Sequence, residues 1–247
     1  MKSYWLLGGI LAGGLWVAGI LASLFYFGFL RLNYPSPETY PITGIDISHH
    51  QGQIDWQALA QEEFRFVYIK ATEGGDFRDQ MFAANWQAAS QIGLVKGAYH
   101  FYRPCKTGQE QAQNFIATVP LEKNTLPPVI DLEFSESCTP AKTNAQILNE
   151  IKAYHDIIET HYGQRPVIYT TYEFYEIYLD KQFLETPLWI RDIVSKPALN
   201  NGRDWLFWQF SSRGRVNGIE AYVDLNVFKG STAAFQQLVQ VTPPPTP

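Results

Sequence analysis

The chain has 247 residues, a formal net charge of −5 and 17% charged residues. A nucleic-acid-binding domain usually carries a strongly basic surface, so this charge balance argues against that class. The length is sufficient for one domain with a large core. Aromatic residues make up 15% of the chain, and most of them are expected to pack inside that core because large aromatic side chains dominate protein interiors.

The N-terminal segment differs from the rest of the chain. Ser3–Leu30 contains no charged residue and is flanked by Lys2 and Arg31. About 20 apolar residues span a bilayer, whereas a cleavable signal peptide has an apolar region of about 7–15 residues. We therefore predict a transmembrane helix that anchors residues 1–31 in a lipid bilayer, with secretion after signal cleavage as the alternative. The positive flank places the N-terminus in the cytoplasm, so the remaining chain would be periplasmic or extracellular.

Two proline-rich segments bound the central region. Residues 32–41 contain three prolines and are predicted to form a stiff spacer, and residues 241–247 are predicted to be an extended tail. Residues 42–240 remain as one domain.

Strand-like and helical segments alternate along this domain. Eight short segments rich in β-branched and aromatic residues are predicted to be strands: Ile42–Ile47, Arg65–Lys70, Leu94–Tyr102, Pro128–Leu132, Pro166–Thr170, Leu188–Arg191, Leu206–Phe210 and Tyr222–Leu225. The helical segments between them are clearest in the first half. Alternation of this kind predicts an α/β fold with a parallel sheet. We expect a (β/α) TIM-like barrel that is irregular in its last third, with an open doubly wound sheet as the alternative.

The segment from Pro127 to Phe134 is the strongest chemical signal. It reads as a short buried strand that ends in Asp131 and Glu133. Successive side chains of a strand point to opposite faces, so these two carboxylates point the same way. Neighbouring carboxylates do not both ionise easily, so one pKa is raised and one group remains a proton donor near neutral pH. Glycoside hydrolysis uses such a pair. A structural role, for example pairing with Lys70 or Arg191, is the alternative.

Polar or aromatic side chains occur near most of the predicted strand ends, where barrel enzymes place their active sites. They are Asp46, Glu73, His100, Tyr169, Trp189, Asp192, Gln209 and Asp224. Together with the acid pair they predict a bowl for an uncharged, hydroxyl-rich substrate. Alternatives remain for some of them: Asp46 either has a catalytic role or caps the next turn, and Trp189 and Tyr169 belong either to the core or to a sugar-stacking surface. No metal ligand set is predicted, because the adjacent residues His49 and His50 point apart on an extended segment.

Two cysteines, Cys105 and Cys138, follow predicted strand ends in polar surroundings. An even cysteine count outside the cytoplasm favours one disulfide. Two free thiols are the alternative.

Several segments together resemble glycoside hydrolase family 25, the Chalaropsis-type muramidases. In chain order these are Gly44–Gly52 followed by Ile54-Asp-Trp56, Phe66–Gly74, Gly97–Tyr102, Pro127–Glu133, Trp208–Ser211 and Val223–Asn226. The resemblance covers roughly residues 42–230. It implies a (β/α) barrel that cleaves the β-1,4 bond after N-acetylmuramic acid in peptidoglycan glycan strands, without a cofactor. It also implies that Glu133 is the proton donor, that Asp131 assists it, and that Asp46 and Asp224 line the same site.

Two mechanisms and two alternative functions stay open at this point. Asp131 and Glu133 share one strand edge, which suits attack by the substrate's own 2-acetamido group, with Asp131 orienting that group. In the other mechanism, Asp46 or Asp224 activates a water molecule and the anomeric centre inverts. The alternative functions are a non-catalytic peptidoglycan-binding module and a hydrolase of another N-acetylated glycan, such as chitin. The oligomeric state is left open.

Overall fold

A closed β-barrel carries the central domain in the computed structural model, which describes residues 2–135 and 142–240, with side chains from residue 13 onward. The strands are β1 Thr43–Ile47, β2 Phe66–Glu73, β3 Phe77–Arg78, β4 Val95–Phe101, β5 Val129–Leu132, β6 Val167–Thr170, β7 Leu188–Arg191, β8 Phe207–Val216 and β9 Ile219–Phe228. All eight predicted strand segments therefore form strands. The two-residue strand β3 is additional, and it pairs only with β2.

The arrangement of these strands corrects the predicted fold. The nine-stranded sheet has the order β1-β9-β8-β7-β6-β5-β4-β2-β3, and pairing of β1 with β2 closes the eight strands other than β3 into a barrel. Neighbours are parallel from β1 through β2 to β8, but β9 is antiparallel to both β8 and β1. The barrel is therefore mixed, and the prediction of a (β/α) TIM-like barrel with a parallel sheet is wrong.

A tight hairpin is the reason for the reversed strand. Only Asn217 and Gly218 separate β8 from β9, and Gly218 has a φ of +86°. Asn-Gly is a preferred pair in short hairpin turns, and Gly218 adopts its positive φ without steric strain because it has no Cβ atom. A parallel strand would need a crossover connection of a dozen or more residues, and none is present between these strands.

Helices cover the outside of the barrel along part of its circumference. Those on the barrel are α2 Trp56–Leu59, α3 Phe82–Gln91, α4 Gly108–Ile116, α5 Asn144–Tyr162, α6 Tyr172–Phe174 and α7 Thr232–Val239, whereas the N-terminal helix α1 Lys2–Tyr26 is exposed from residue 13 to its end. Helix α5 begins at a capping box, in which the side chains of Thr143 and Gln146 each accept a hydrogen bond from the other's backbone amide. It ends at Gly163, which has the left-handed conformation. Its buried stripe of Ile147, Ile151 and Ile158 faces the barrel.

Aromatic rings fill the barrel interior below the rim. Phe66, Tyr68 and Phe207 are fully buried there. The ring of Tyr68 lies 4.9 Å from that of Trp189, and the ring of Phe66 lies 5.3 Å from that of Phe207. This packing makes the lower barrel a solid core.

The N-terminal segment corrects a second prediction. Helix α1 ends at Tyr26, and the residues that follow turn back onto the β8–β9 hairpin, where Arg215 Nε donates to the Phe27 carbonyl at 2.7 Å. Gly28 has a φ of +72° at this turn, and a Cβ atom there would lie 2.2 Å from the Arg213 carbonyl oxygen. Among the described residues, no helix combines the length and apolarity needed to cross a bilayer. This finding contradicts the predicted N-terminal transmembrane helix, and the described residues give no support to the predicted lipid contact through residues 3–30.

Candidate active site

A cavity of about 440 Å³ lies at the rim of the barrel, at the carboxyl ends of the parallel strands. Each barrel strand contributes at least one side chain to it, because the alternating side chains of a strand point into the barrel at every second position. The charged residues in its lining are Asp46, Lys70, Asp131, Glu133, Arg191 and Asp224. Four of the predicted site residues are thus brought together as carboxylates around one space.

Asp131 and Glu133 form one wall of the cavity, as their spacing predicts. Asp131 is buried and Glu133 is half-buried just beyond the end of β5. Burial, and next the negative charge of Glu133, raise the pKa of Asp131 well above its ordinary value. Burial also raises the pKa of Glu133, although the positive charge of Arg191 acts against it. In the described part of the chain, no donor forms a hydrogen bond with Asp131 Oδ1.

Asp46 occupies the opposite wall and is held by a network of hydrogen bonds. Its Oδ2 atom accepts from Asn226 Nδ2 at 2.7 Å and from Gln209 Nε2 at 3.1 Å. Each amide is itself oriented by a ring: the Tyr169 hydroxyl donates to Gln209 Oε1 at 3.0 Å, and Trp189 Nε1 donates to Asn226 Oδ1 at 2.9 Å. Both amides must therefore present their N–H groups to Asp46.

Asp224 completes this wall as a direct neighbour of Asp46. The two residues are opposite each other in the antiparallel pairing of β1 and β9. Burial raises the pKa of Asp46 to about 6, against the effect of the hydrogen bonds from Asn226 and Gln209. Burial and the charge of Asp46 raise the pKa of Asp224 well above its ordinary value. A hydrogen bond between the two carboxyl groups raises the pKa of Asp224 further and acts to lower that of Asp46.

The sequence treats Asp224 as the residue at the end of a parallel strand, and the structure places it differently. It lies in the middle of β9, which runs in the opposite direction to its neighbours. Its side chain reaches the cavity because the pairing of β1 with β9 places Asp224 directly opposite Asp46.

Three of the polar residues predicted near strand ends lie outside the cavity lining. His100 is fully buried behind the barrel wall, where Nδ1 is 2.7 Å from Thr72 Oγ1 and Nε2 is 3.1 Å from Gln111 Oε1. Burial lowers its pKa to about 4, so it stays neutral. Glu73 accepts from Lys70 Nζ at 2.7 Å and from an arginine of the β4–α4 loop. Asp192 accepts from the amides of the loop that follows β7.

Tyr169 and Trp189 are placed in the cavity lining, but their rings are largely covered. Their exposed fractions are 8% and 2%, and the two rings meet edge to face with centroids 5.1 Å apart. Their polar atoms are the ones that orient Gln209 and Asn226. This geometry supports a role in fixing Asp46, and little of either ring is available to stack on a sugar.

Comparison with known proteins agrees with this geometry. The model of glycosyl hydrolases family 25 matches residues 45–219. Lysozyme M1 of Streptomyces globisporus is 35% identical over 217 residues, which are 83% of this chain and 74% of that protein. The chain belongs to glycosyl hydrolase family 25. A protein of Escherichia coli K12, YegX, is 36% identical over 208 residues, which are 82% of this chain and 75% of that protein.

A solved family 25 glycosyl hydrolase from Bacillus anthracis has the same fold. It superposes with a TM-score of 0.79 at 36% identity, covering 84% of this chain and 97% of that chain. The resemblance predicted from the sequence motifs is therefore confirmed, and this family 25 member is a glycoside hydrolase.

Two residues of the site were not among the site residues predicted from the sequence: Arg191, which lines the cavity, and Asn226, which donates to Asp46. The family match ends at residue 219, so Asn226 lies beyond it on β9. Asn226 follows Asp224 by two positions, and Arg191 follows Trp189 by two positions. Residues two positions apart on a strand lie on one face. Once Asp224 and Trp189 are predicted to face the cavity, the same spacing therefore predicts Asn226 and Arg191.

Of the two cysteines predicted to form a disulfide, the described residues include one, Cys105. Cys105 lies in the loop after β4 and is disulfide-bonded. Cys138 lies outside the described residues, so its pairing with Cys105 stays a prediction.

Proposed function

We propose that this family 25 hydrolase cleaves the β-1,4 bond between N-acetylmuramic acid and N-acetylglucosamine in peptidoglycan. The observation that carries the proposal is the acid pair of β5, in which Asp131 and Glu133 share one wall, have raised pKa values and receive no hydrogen bond from the described residues. A relative that is 35% identical is named a lysozyme, which supports peptidoglycan as the substrate. We further propose residues 42–240 as the catalytic unit.

Glu133 is the general acid in this proposal. Its raised pKa keeps a proton available near neutral pH. As the glycosidic bond breaks, that proton moves to the leaving oxygen of the N-acetylglucosamine side, and the electron pair of the broken bond stays on the same oxygen. Glu133 is then a carboxylate, ready to accept a proton from water in the second step.

Asp131 assists through the substrate. Because Asp131 lies on the same wall as Glu133, it is poorly placed to attack the anomeric carbon from the opposite side. The carbonyl oxygen of the 2-acetamido group attacks that carbon instead, and Asp131 accepts a hydrogen bond from the acetamido N–H while positive charge develops on the group. Water then adds to the anomeric carbon, gives its proton to Glu133, and restores the acetamide. This sequence retains the anomeric configuration.

The opposite wall supports a positioning role for Asp46 and Asp224. Asp46 already accepts two amide hydrogen bonds and a proton shared with Asp224, so its free acceptor capacity for a water molecule is small. Detection of the α anomer as the first product would overturn the retaining scheme and favour water activation by this wall.

The compartment follows from the substrate. Peptidoglycan lies outside the cytoplasm, and the disulfide bond at Cys105 suits an oxidising compartment. We propose a periplasmic or extracellular site of action.

The first experiment is digestion of purified peptidoglycan by the full chain, with mass spectrometry of the fragments. The wild type is expected to release fragments with new reducing-end N-acetylmuramic acid, and Glu133→Gln is expected to release almost none. Glu220→Gln is the matched control, because Glu220 is an exposed carboxylate on β9, and it should behave as the wild type. Absence of fragments from the wild type with retained wall binding would support a non-catalytic binding module, and cleavage of chitin in place of peptidoglycan would support another glycan.

A further inference from the structure

A buried lysine, Lys70, belongs to the same cavity lining as the acid pair. Its Nζ atom is 2.7 Å from Glu73 Oε2 and lies 4.9 Å from the centre of the Phe101 ring. Among residues 13–135 and 142–240, no ion pair joins Lys70 to Asp131 or Glu133. The ammonium group is therefore held by one carboxylate and one aromatic face, although two other acidic groups line the same cavity.

A bulge in β2 places Lys70 and Glu73 on one side of the strand. Residues three positions apart on a regular strand point to opposite faces. The register of β2 against β4 shifts between Lys70 and Thr72, so that Ala71 is an extra residue in that pairing. Such a bulge re-aims the side chains that follow it, and bulges are frequent next to active sites. Thr72 consequently contacts His100 behind the barrel wall, whereas Glu73 contacts Lys70.

The Glu73 carboxylate is held from its other oxygen as well. Arg103 Nε donates to Glu73 Oε1 at 2.9 Å, and a second nitrogen of the same guanidinium also contacts that oxygen. The backbone of Arg103 is fixed in turn, because its N–H group donates to Gln111 Oε1 at 2.8 Å and its carbonyl accepts from Gln111 Nε2 at 3.0 Å. Each oxygen of the carboxylate thus has its own cation, so Glu73 cannot move away from Lys70 without breaking its pair with Arg103.

The positive charge of Lys70 acts on the acid pair from this position. It favours the carboxylate forms of Asp131 and Glu133, and so it opposes the rise that burial causes in both pKa values. An ammonium group in direct contact with either acid would favour the carboxylate more strongly, because the attraction between two charges grows as their separation falls. The other ionisable groups that its charge reaches or that share the cavity lining are His50, Glu73, His100, Asp46, Arg191 and Asp224.

We propose that Glu73 is a positioning residue, which holds the Lys70 ammonium group away from the acid pair and thereby leaves Glu133 protonated for catalysis. The inference rests on the proposed function for the role of Glu133 as general acid. In this role Glu73 acts only through Lys70, so its effect on the acid pair must disappear when Lys70 is replaced by an uncharged residue. That effect is a displacement of the pH profile, which a merely structural contribution would not produce.

The pH dependence of kcat/KM for the full chain acting on soluble peptidoglycan strands tests this inference, because it reports the pKa of the general acid in the free enzyme. Glu73→Gln keeps the shape of the side chain but removes its charge. The released ammonium group should lower the pKa of Glu133, so the basic limb is expected to move to lower pH by about one unit or more. Lys70→Met should move the limb to higher pH. In the variant that carries both changes, the limb should lie at or above its wild-type position.

Glu122→Gln is the matched control. Glu122 forms the same kind of pair elsewhere in the fold, because Lys96 Nζ is 2.9 Å from Glu122 Oε2 and 4.4 Å from the centre of the Trp86 ring. The described cavity lining contains none of these three residues. This variant should therefore leave the basic limb in its wild-type position.

Carboxyl-carbon NMR of the full chain with labelled glutamate gives a second readout that does not require cleavage. The Glu133 signal is the one that Glu133→Gln lacks. A lowered pKa of Glu133 in Glu73→Gln that is reversed in the double variant supports the inference even if the wild type cuts no peptidoglycan, in which case only the proposed function fails.

Two results overturn the inference. One is an unchanged pKa of Glu133 in Glu73→Gln. The other is a lowered pKa that persists in the double variant, because Glu73 would then act on Glu133 without Lys70. If Glu73→Gln does not fold, Lys70→Met decides, since Arg103 still holds the Glu73 carboxylate in that variant; a raised pKa of Glu133 there supports the inference, and an unchanged one overturns it.

Discussion

Two walls of the cavity carry carboxyl groups, and they differ in whether other side chains donate hydrogen bonds to those groups. In the locked wall, formed by Asp46, Asp224, Gln209 and Asn226, amide donors and a shared proton satisfy the buried carboxylate. In the open wall, formed by Asp131 and Glu133, the described residues supply no hydrogen bond to either side chain. An unsatisfied buried carboxyl group destabilises the fold. The comparison therefore indicates that the locked wall serves structure and positioning, whereas the open wall is left incomplete until substrate binds.

The largest expected effect comes from the open wall. Asp131→Asn should lower kcat by about 10²- to 10⁴-fold, because the neutral amide no longer stabilises the charge that develops on the acetamido group. The melting temperature should stay equal or rise, since the change removes a buried ionisable group without removing a hydrogen bond. Steady-state kinetics and calorimetry measure the two effects. A loss of stability with retained kcat would reverse the assignment of the walls.

The locked wall should respond in the other way. Asn226→Leu removes a donor to Asp46 and leaves the Trp189 indole N–H without its acceptor, so we expect a loss of about 2–5 kcal/mol in the free energy of unfolding. Asn200→Leu is the control, because Asn200 is exposed and bonds only to Glu176 within the described chain; it should change stability by less than about 0.5 kcal/mol. Urea denaturation checks both variants, and equal stabilities would contradict the network.

The pH dependence of stability separates the walls further. The folded pKa of Asp46 is raised from 3.8 to about 6, so the folded state holds its proton more tightly than the unfolded chain. The stabilising contribution is complete below the unfolded pKa and is lost as the pH rises towards 6. The difference of 6 − 3.8 corresponds to about 3 kcal/mol. Between about pH 4 and 6, the free energy of unfolding of the wild type should therefore fall relative to that of Asp46→Asn. Above pH 6 the two curves of free energy against pH should be parallel. Parallel curves across the whole range would rule out the raised pKa.

The smallest expected effect concerns the hairpin that carries Asp224 and Asn226. Gly218 has a φ of +86°, and a Cβ atom there would lie 2.3 Å from the Asp55 carbonyl oxygen. Gly218→Ala should destabilise the fold by about 1–3 kcal/mol. Gly202 has a φ of +72° with open space around it, so Gly202→Ala should cost only the conformational strain of about 1 kcal/mol. Thermal denaturation compares them, and a larger loss at Gly202 would show that the close approach at Gly218 is unimportant.

The sequence predicts the open wall better than the locked wall, for a physical reason. Asp131 and Glu133 are two residues apart on one strand, so the strand period alone places them on one face. The hydrogen bond between Asp46 and Asn226 joins residues 180 positions apart, and no local pattern contains that distance. The burial of Trp189 and the placement of His100 behind the barrel wall depend likewise on neighbours from other strands.

The errors in the fold have a similar origin. The strand segments follow from local composition, and their alternation with helices favours a parallel sheet, but the pair Asn217–Gly218 overrides that pattern at the last strand. Residues Tyr26–Gly28 end the N-terminal helix against the hairpin, a contact that the uncharged run does not reveal.

The sequence by itself determined the strand segments, the family and the shared face of the acid pair, because each depends on residues close together in the chain or on an ordered set of motifs. Only the tertiary structure decided how the barrel closes and which carboxylates are satisfied, because these depend on side chains from different strands meeting in space.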